Sequence, residues 1–144
     1  MSKKTGIVLL AEKLNAQHNW VLIEQNPQTP GLLRERIGVV HQLVSPKNGA
    51  KNLSLTEVAI ETKGPLHRHQ KSEEICVIIR GAGEVFLAGK ITKVALGDCV
   101  IIPPGVVHAF RKAGGMMEQL VYFCILTPAP NPKDDVIEPM SLDW

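Results

Sequence analysis

Short, β-branched apolar runs recur along this chain with turn residues between them, and that pattern restricts the fold more than any other feature. Trp20 to Gln25, Ile37 to Val44, Ser54 to Thr62, Glu74 to Arg80, Glu84 to Leu87, Ile91 to Ala95, Cys99 to Ile102, His108 to Arg111 and Gln119 to Leu126 all read as strands. The breaks carry Asn26-Pro27, Thr29-Pro30-Gly31, Ser45-Pro46, Gly81, Gly97 and Pro103-Pro104-Gly105, residues that fix or free φ where a chain must reverse. Strands this short and this frequent belong to a sandwich or a barrel, so the fold class is all-β. Two segments depart from the pattern. Ile7, Leu10, Ala11 and Leu14 fall at helical spacing behind Thr5, which predicts a short amphipathic N-terminal helix. The tail from Thr127 to Trp144 holds four prolines and the pair Asp134-Asp135, and reads as an irregular segment draped over the domain or a neighbour.

A length of 144 residues predicts one domain, 1–144. With 44% hydrophobic and 21% charged residues, neither a disordered chain nor a collagen-like repeat is compatible. Sixteen basic against 14 acidic residues include no basic run that could track phosphates, so no nucleic-acid partner is expected. No membrane association is expected either, because Glu12 and Lys13 interrupt the apolar run near the start. Cys76, Cys99 and Cys124 make an odd count without a C-x-x-C pair and suit a reducing, cytoplasmic compartment.

Chemistry concentrates between Gly64 and His108. If His67 and His69 lie on extended backbone, their i, i+2 spacing puts both imidazoles on one face with Arg68 on the other. Glu74 opens the next strand after a short polar turn, where a hairpin could bring its carboxylate opposite them. His108 follows the Pro103-Pro104-Gly105 turn and could supply a third nitrogen. Each histidine alone is more often a surface or hydrogen-bonded residue than a ligand. His18 and His41 have no such company and read as structural or solvent-exposed, and Glu73 reads as solvated.

These residues resemble the cupins. The first cupin motif, G-x5-H-x-H-x(3,4)-E-x6-G, is matched by His67, His69, Glu74 and Gly81, with Gly64 closer to His67 than the pattern asks. The second, G-x5-P-x-G-x2-H-x3-N, is matched by Gly97, Pro103, Gly105 and His108, while Lys112 stands in place of the asparagine. The 15 residues from Ala82 to Leu96 between the motifs are the short spacing of small single-domain members. The resemblance implies a double-stranded β-helix, or jelly-roll, barrel and a homodimer, with Ile37 to Val44 as the candidate edge. It also implies one divalent metal ion held by His67, His69, Glu74 and His108. Such a mixed nitrogen and oxygen set suits Fe, Mn, Ni or Zn.

Alternation from Glu74 places Cys76 and Ile78 inside, and alternation from His108 places Phe110 there, so these three are candidates to line the pocket. No residue reads as a catalytic acid or base. What the resemblance implies for function is a metal-dependent enzyme acting on a small carboxylate- or carbonyl-bearing molecule, as an oxygenase, isomerase, decarboxylase, cyclase or lyase. The rival is a non-catalytic cupin that binds a metal or metabolite. Only six aromatic residues in the chain disfavour substrates that need stacking platforms, such as sugars and flavonoids.

Overall fold

A computed structural model describes residues 6–10, 20–24, 36–131, 133 and 135–137. The apolar runs form strands β1 (Trp20–Glu24), β2 (Arg36–Val44), β3 (Ser54–Ile60), β5 (Glu73–Arg80), β6 (Ala82–Leu87), β7 (Lys90–Ala95), β8 (Cys99–Ile102), β9 (His108–Lys112) and β10 (Leu120–Thr127). Two short strands join them, β4 (His67–His69) and β11 (Asp135–Ile137). One sheet runs β1-β2-β3-β10-β5-β8 and the other β11-β4-β9-β6-β7, every pair being antiparallel. The two sheets enclose a core that includes Val58, Ile60, Ile78, Val85, Ile102, Phe110, Leu120 and Tyr122. Burying each such side chain stabilises the fold by about 1.5–3 kcal/mol.

The period-2 pattern works as the sequence suggests. Along β5 the even positions Glu74, Cys76 and Ile78 are buried while Glu73 and Ile75 are exposed. Between β5 and β6 the chain crosses from one sheet to the other through Gly81 alone. Its φ of 76° is left-handed, and a Cβ there would run into the Gln119 carbonyl, so glycine is required on both counts.

Three expectations need correction. Residues 6–10 have no regular secondary structure, and the rest of the expected helix lies outside the described residues. A single short helix is marginal in water, and the Ile7 side chain instead lies over Gly49, where no Cβ obstructs it. The segment Ile37 to Val44 is not an edge, because β2 lies between β1 and β3. Finally, part of the irregular tail is strand: β11 pairs along β4, with Asp135, Val136 and Ile137 opposite His69, Arg68 and His67.

Candidate metal centre

His67 and His69 both lie on β4, so the extended backbone gives their side chains one common direction. β9 runs alongside with His108 directly opposite His67, and Glu74 enters from β5 in the other sheet. One ligand atom from each of His67, His69, Glu74 and His108 lies within 4.8 Å of the other three. The imidazole centroids are 4.2 Å apart for His67 and His108, 5.1 Å for His67 and His69, and 5.4 Å for His69 and His108. Among the described residues this is the group of His, Cys, Asp and Glu side chains that could hold a metal ion.

Hydrogen bonds set the tautomers. His67 Nδ1–H donates to the Pro65 carbonyl and His108 Nδ1–H to the Val106 carbonyl, each at 2.9 Å. In a neutral ring that leaves Nε2 as a bare lone pair pointing into the group. Glu74 Oε2 lies 2.9 Å from His69 Nε2 and 3.0 Å from His108 Nε2. Yet neither Glu74 Oε2 nor His108 Nε2 has a hydrogen-bond partner, because a carboxylate facing a bare imidazole nitrogen is acceptor against acceptor. Buried acceptors that converge without a proton between them call for a cation, and the donor set fits a divalent metal of the Fe, Mn, Ni or Zn kind.

Burial alone would push the Glu74 carboxyl upward, but the adjoining His108 and His69 side chains outweigh it and hold it well below the usual carboxylate range. His67 is lowered as well, which for an imidazole favours the neutral form. Burial, then the neighbouring His108, lowers it from 6.5 to about 4, so it stays neutral and able to ligate in mildly acid solution.

Of the other candidates, Cys76, Ile78 and Phe110 are in the core at 0, 1 and 2% exposure. Cys76 Sγ lies 3.2 Å from Glu74 Oε1. Phe110 stacks on Tyr122 with centroids 4.3 Å apart. Glu73 is exposed, in keeping with its solvated reading. His41 is buried, and its place opposite Glu57 in the register puts it on the sheet face away from the four candidate ligands. His18 lies outside the described residues.

Sequence reasoning missed Tyr122 and Cys124, which share the inner face of β10 and sit opposite Ile78 and Cys76. Alternation within Leu120, Tyr122, Cys124 and Leu126 carries part of that signal; the register that sets Cys124 against Cys76 does not show in sequence. A cleft lined by Glu61, Arg80, Lys112, Met117, Glu118 and Gln119 lies at the opposite strand ends, where Gln119 donates to Glu61 and Arg80 pairs with Glu118.

Comparison with known proteins agrees with this geometry. A sequence model of the cupin domain matches residues 54–125. An uncharacterised protein of Aquifex aeolicus is 33% identical over 106 residues, covering 73% of this chain and 85% of that protein. Two solved structures share the fold. The polyketide cyclase RemF of Streptomyces resistomycificus has a TM-score of 0.62 at 21% identity, over 85% of this chain and 83% of its own. A Streptomyces nucleoside dehydratase has a TM-score of 0.59 at 14% identity, over 70% and 78%. No helix among the described residues is long and apolar enough to cross a membrane. The two motifs, the two facing antiparallel sheets and the half-length match of the cupin model make this chain a member of the cupin superfamily.

Proposed function

We propose that the protein is a metal-dependent cupin enzyme acting on a small molecule that bears a carboxylate or carbonyl group. The observation that carries this reading is the convergence of His67, His69, Glu74 and His108, each offering one possible ligand atom within 4.8 Å of the others. Four protein ligands leave positions open for water or substrate on a five- or six-coordinate metal. When bound, the metal supplies a Lewis acid for a carboxylate or carbonyl oxygen, or with iron a redox centre for oxygen chemistry. The chain supplies the rest. His69, Glu74 and His108 are buried and exclude water, while His67 is less buried and marks the open side. Ile78, Phe110 and the partly buried Val106 and Leu87 make an apolar surround in which the ion is the polar anchor. The cyclase and dehydratase among the structural neighbours support an enzymatic reading.

Metal analysis of protein purified without added metal, followed by melting with and without chelator, is the first test. We expect a stoichiometric divalent metal and a lower melting temperature on chelation. Protein that carries no metal, takes none up and ignores chelator sinks the reading. Oxygen dependence is decided by an anaerobic assay with Fe(II), in which continued turnover excludes an oxygenase.

Burial of His69, Glu74 and His108 to 7, 4 and 1% exposure supports a second reading, a non-catalytic cupin whose metal stabilises the barrel or senses a metabolite. It predicts chelator-sensitive melting with no turnover of any carboxylate or carbonyl compound offered. The free thiols of Cys76, Cys99 and Cys124 support a reducing, cytoplasmic setting. A homodimer through the outer face of the larger sheet is supported by Ile101, Ile75 and Ile125, which lie side by side in register at 63, 39 and 38% exposure. Light scattering tests this: Ile101→Lys should give a monomer, and an unmodified chain that is already monomeric refutes it.

A further inference from the structure

Glu74 has two oxygens, and only one of them faces the three imidazoles. Oε2 meets His69 and His108, whereas Oε1 lies 3.2 Å from the Cys76 thiol, two residues along the same inward face of β5. Cys76 has no exposed surface and Glu74 is 4% exposed, so water does not compete for this contact. Cys124 of β10 sits directly opposite Cys76 in the register, and both thiols are free and buried. Each thiol carries one hydrogen and a carboxylate can only accept. The direction of the bond is therefore fixed: Cys76 S–H donates to Glu74 Oε1.

Resting on the metal reading above, we infer that Cys76 is the positioning residue of the metal centre, holding Glu74 so that it offers Oε2 alone to the ion. The thiol occupies Oε1 and sets the carboxylate rotation. That makes Glu74 a one-oxygen ligand and preserves open positions that a two-oxygen carboxylate would fill. A thiol is a weak donor, so it orients the carboxylate while withdrawing little of the charge that attracts the metal. Valine or alanine at this position would fill space in the strand but leave Oε1 buried without a donor. The carboxylate would then turn to share both oxygens with the cation.

The experiment uses the full chain loaded with Co(II), whose visible absorption reports ligand number, together with affinity measured by chelator competition. Unmodified protein, Cys76→Ala, Cys76→Val, Cys76→Ser and Cys124→Ala are compared after metal-free melting has shown which of them fold. Alanine and valine remove the donor at different volumes, so one folded variant of the two suffices. Either should weaken Co(II) binding about tenfold, the cost of losing an outer-shell partner, and change the absorption bands. Cys76→Ser keeps a donor and should restore both the bands and most of the affinity. Cys124→Ala leaves the bond to Oε1 in place and should change neither. Unaltered bands and affinity in the donor-free variants overturn the positioning role, and so does a serine variant as impaired as they are, since packing alone would then explain the loss. The metal reading fails separately, if unmodified protein binds no Co(II) or if His69→Ala binds it equally well.

Discussion

The four candidate ligands hang on two unlike supports. Glu74 and His108 belong to strands paired on both sides: β5 lies between β10 and β8, and β9 lies between β4 and β6, with five register pairs to β6 alone. His67 and His69 belong to β4, which has three residues, one register pair to β9 and three to β11. One further bond reaches β4 from the second motif, where the Gly105 N–H donates to the His69 carbonyl at 2.7 Å. Half of the site is thus built into the barrel, and half is tethered by a tail strand and a turn. What holds the fold and what positions the candidate ligands are therefore separable, and the separation can be measured.

Replacing one ligand on each side gives the largest expected contrast. His108 is 1% exposed and packed against the core, so His108→Ala leaves a cavity and should cost the metal-free protein about 2–4 kcal/mol. His67 is less buried and held low by burial and the neighbouring His108, so His67→Ala should change metal-free stability by less than about 1 kcal/mol. Both should weaken metal binding by more than about a hundredfold, beyond the loss of an outer partner. Urea unfolding without metal and titration with Zn(II) measure the two quantities. Equal destabilisation by both substitutions would break the division between built-in and tethered ligands.

Acid should reveal the tethered side next. His67 lies at about 4 in the folded protein against 6.5 ordinarily, so between those values the unfolded chain binds a proton that the folded chain refuses. Metal-free stability must then fall as pH drops from 7 to 4, by at most about 3 kcal/mol from this residue, and the His67 contribution levels off below 4. Glu74, held low, acts in the same direction, but only as pH falls below about 4.5, where unfolded carboxylates take up protons. His67→Ala should therefore flatten the stability profile above pH 4.5 and leave the slope below it. Urea midpoints at pH 7, 5.5 and 4 decide this, and an unchanged slope in the variant would refute the assignment.

The same division governs what could be read from sequence. Every built-in strand carried its own signal, because a strand buried on one face must alternate and one that turns sharply must use glycine or proline. Glu74 and His108 come with such strands, and Gly81 keeps its motif place because no Cβ fits beneath the Gln119 carbonyl. β4 was legible only through the spacing of His67 and His69. β11 was not legible at all: Asp135-Val136-Ile137 is too short to show a period, lies among prolines, and is a strand because β4 offers it an edge. The apolar residues Ile7 to Leu10 misled in the opposite sense, since a helical spacing says nothing about whether a core is present to receive it. Cys124 became informative only once the register set it against Cys76, a long-range fact that no local pattern contains.

Deleting the chain after Lys133 removes β11 and with it three of the four register pairs of β4. The barrel strands that carry the core are untouched, so the metal-free urea midpoint should shift by less than about 1 kcal/mol. Metal affinity should fall about tenfold, comparable to the loss of an outer-shell partner, because His67 and His69 lose the strand that fixes their direction. Affinity equal to that of the full chain would show that β9 and the Gly105 bond position β4 unaided.

The smallest effect belongs to the built-in side. Arg111 Nη2 on β9 donates to Glu84 Oε1 on β6 at 3.1 Å, and the two residues stand directly opposite in the register. Their side chains are 25 and 27% exposed, so solvent screens the pair and it should contribute less than about 1 kcal/mol. The β6–β9 ladder and the buried Phe110 hold β9 without it. Glu84→Gln should therefore cost a fraction of a kcal/mol in urea unfolding and leave Co(II) affinity within about twofold, the range expected of a surface substitution away from the site. A marked loss of metal affinity in this variant would mean that His108 too depends on a side-chain tether, and the four ligands would then share one kind of support.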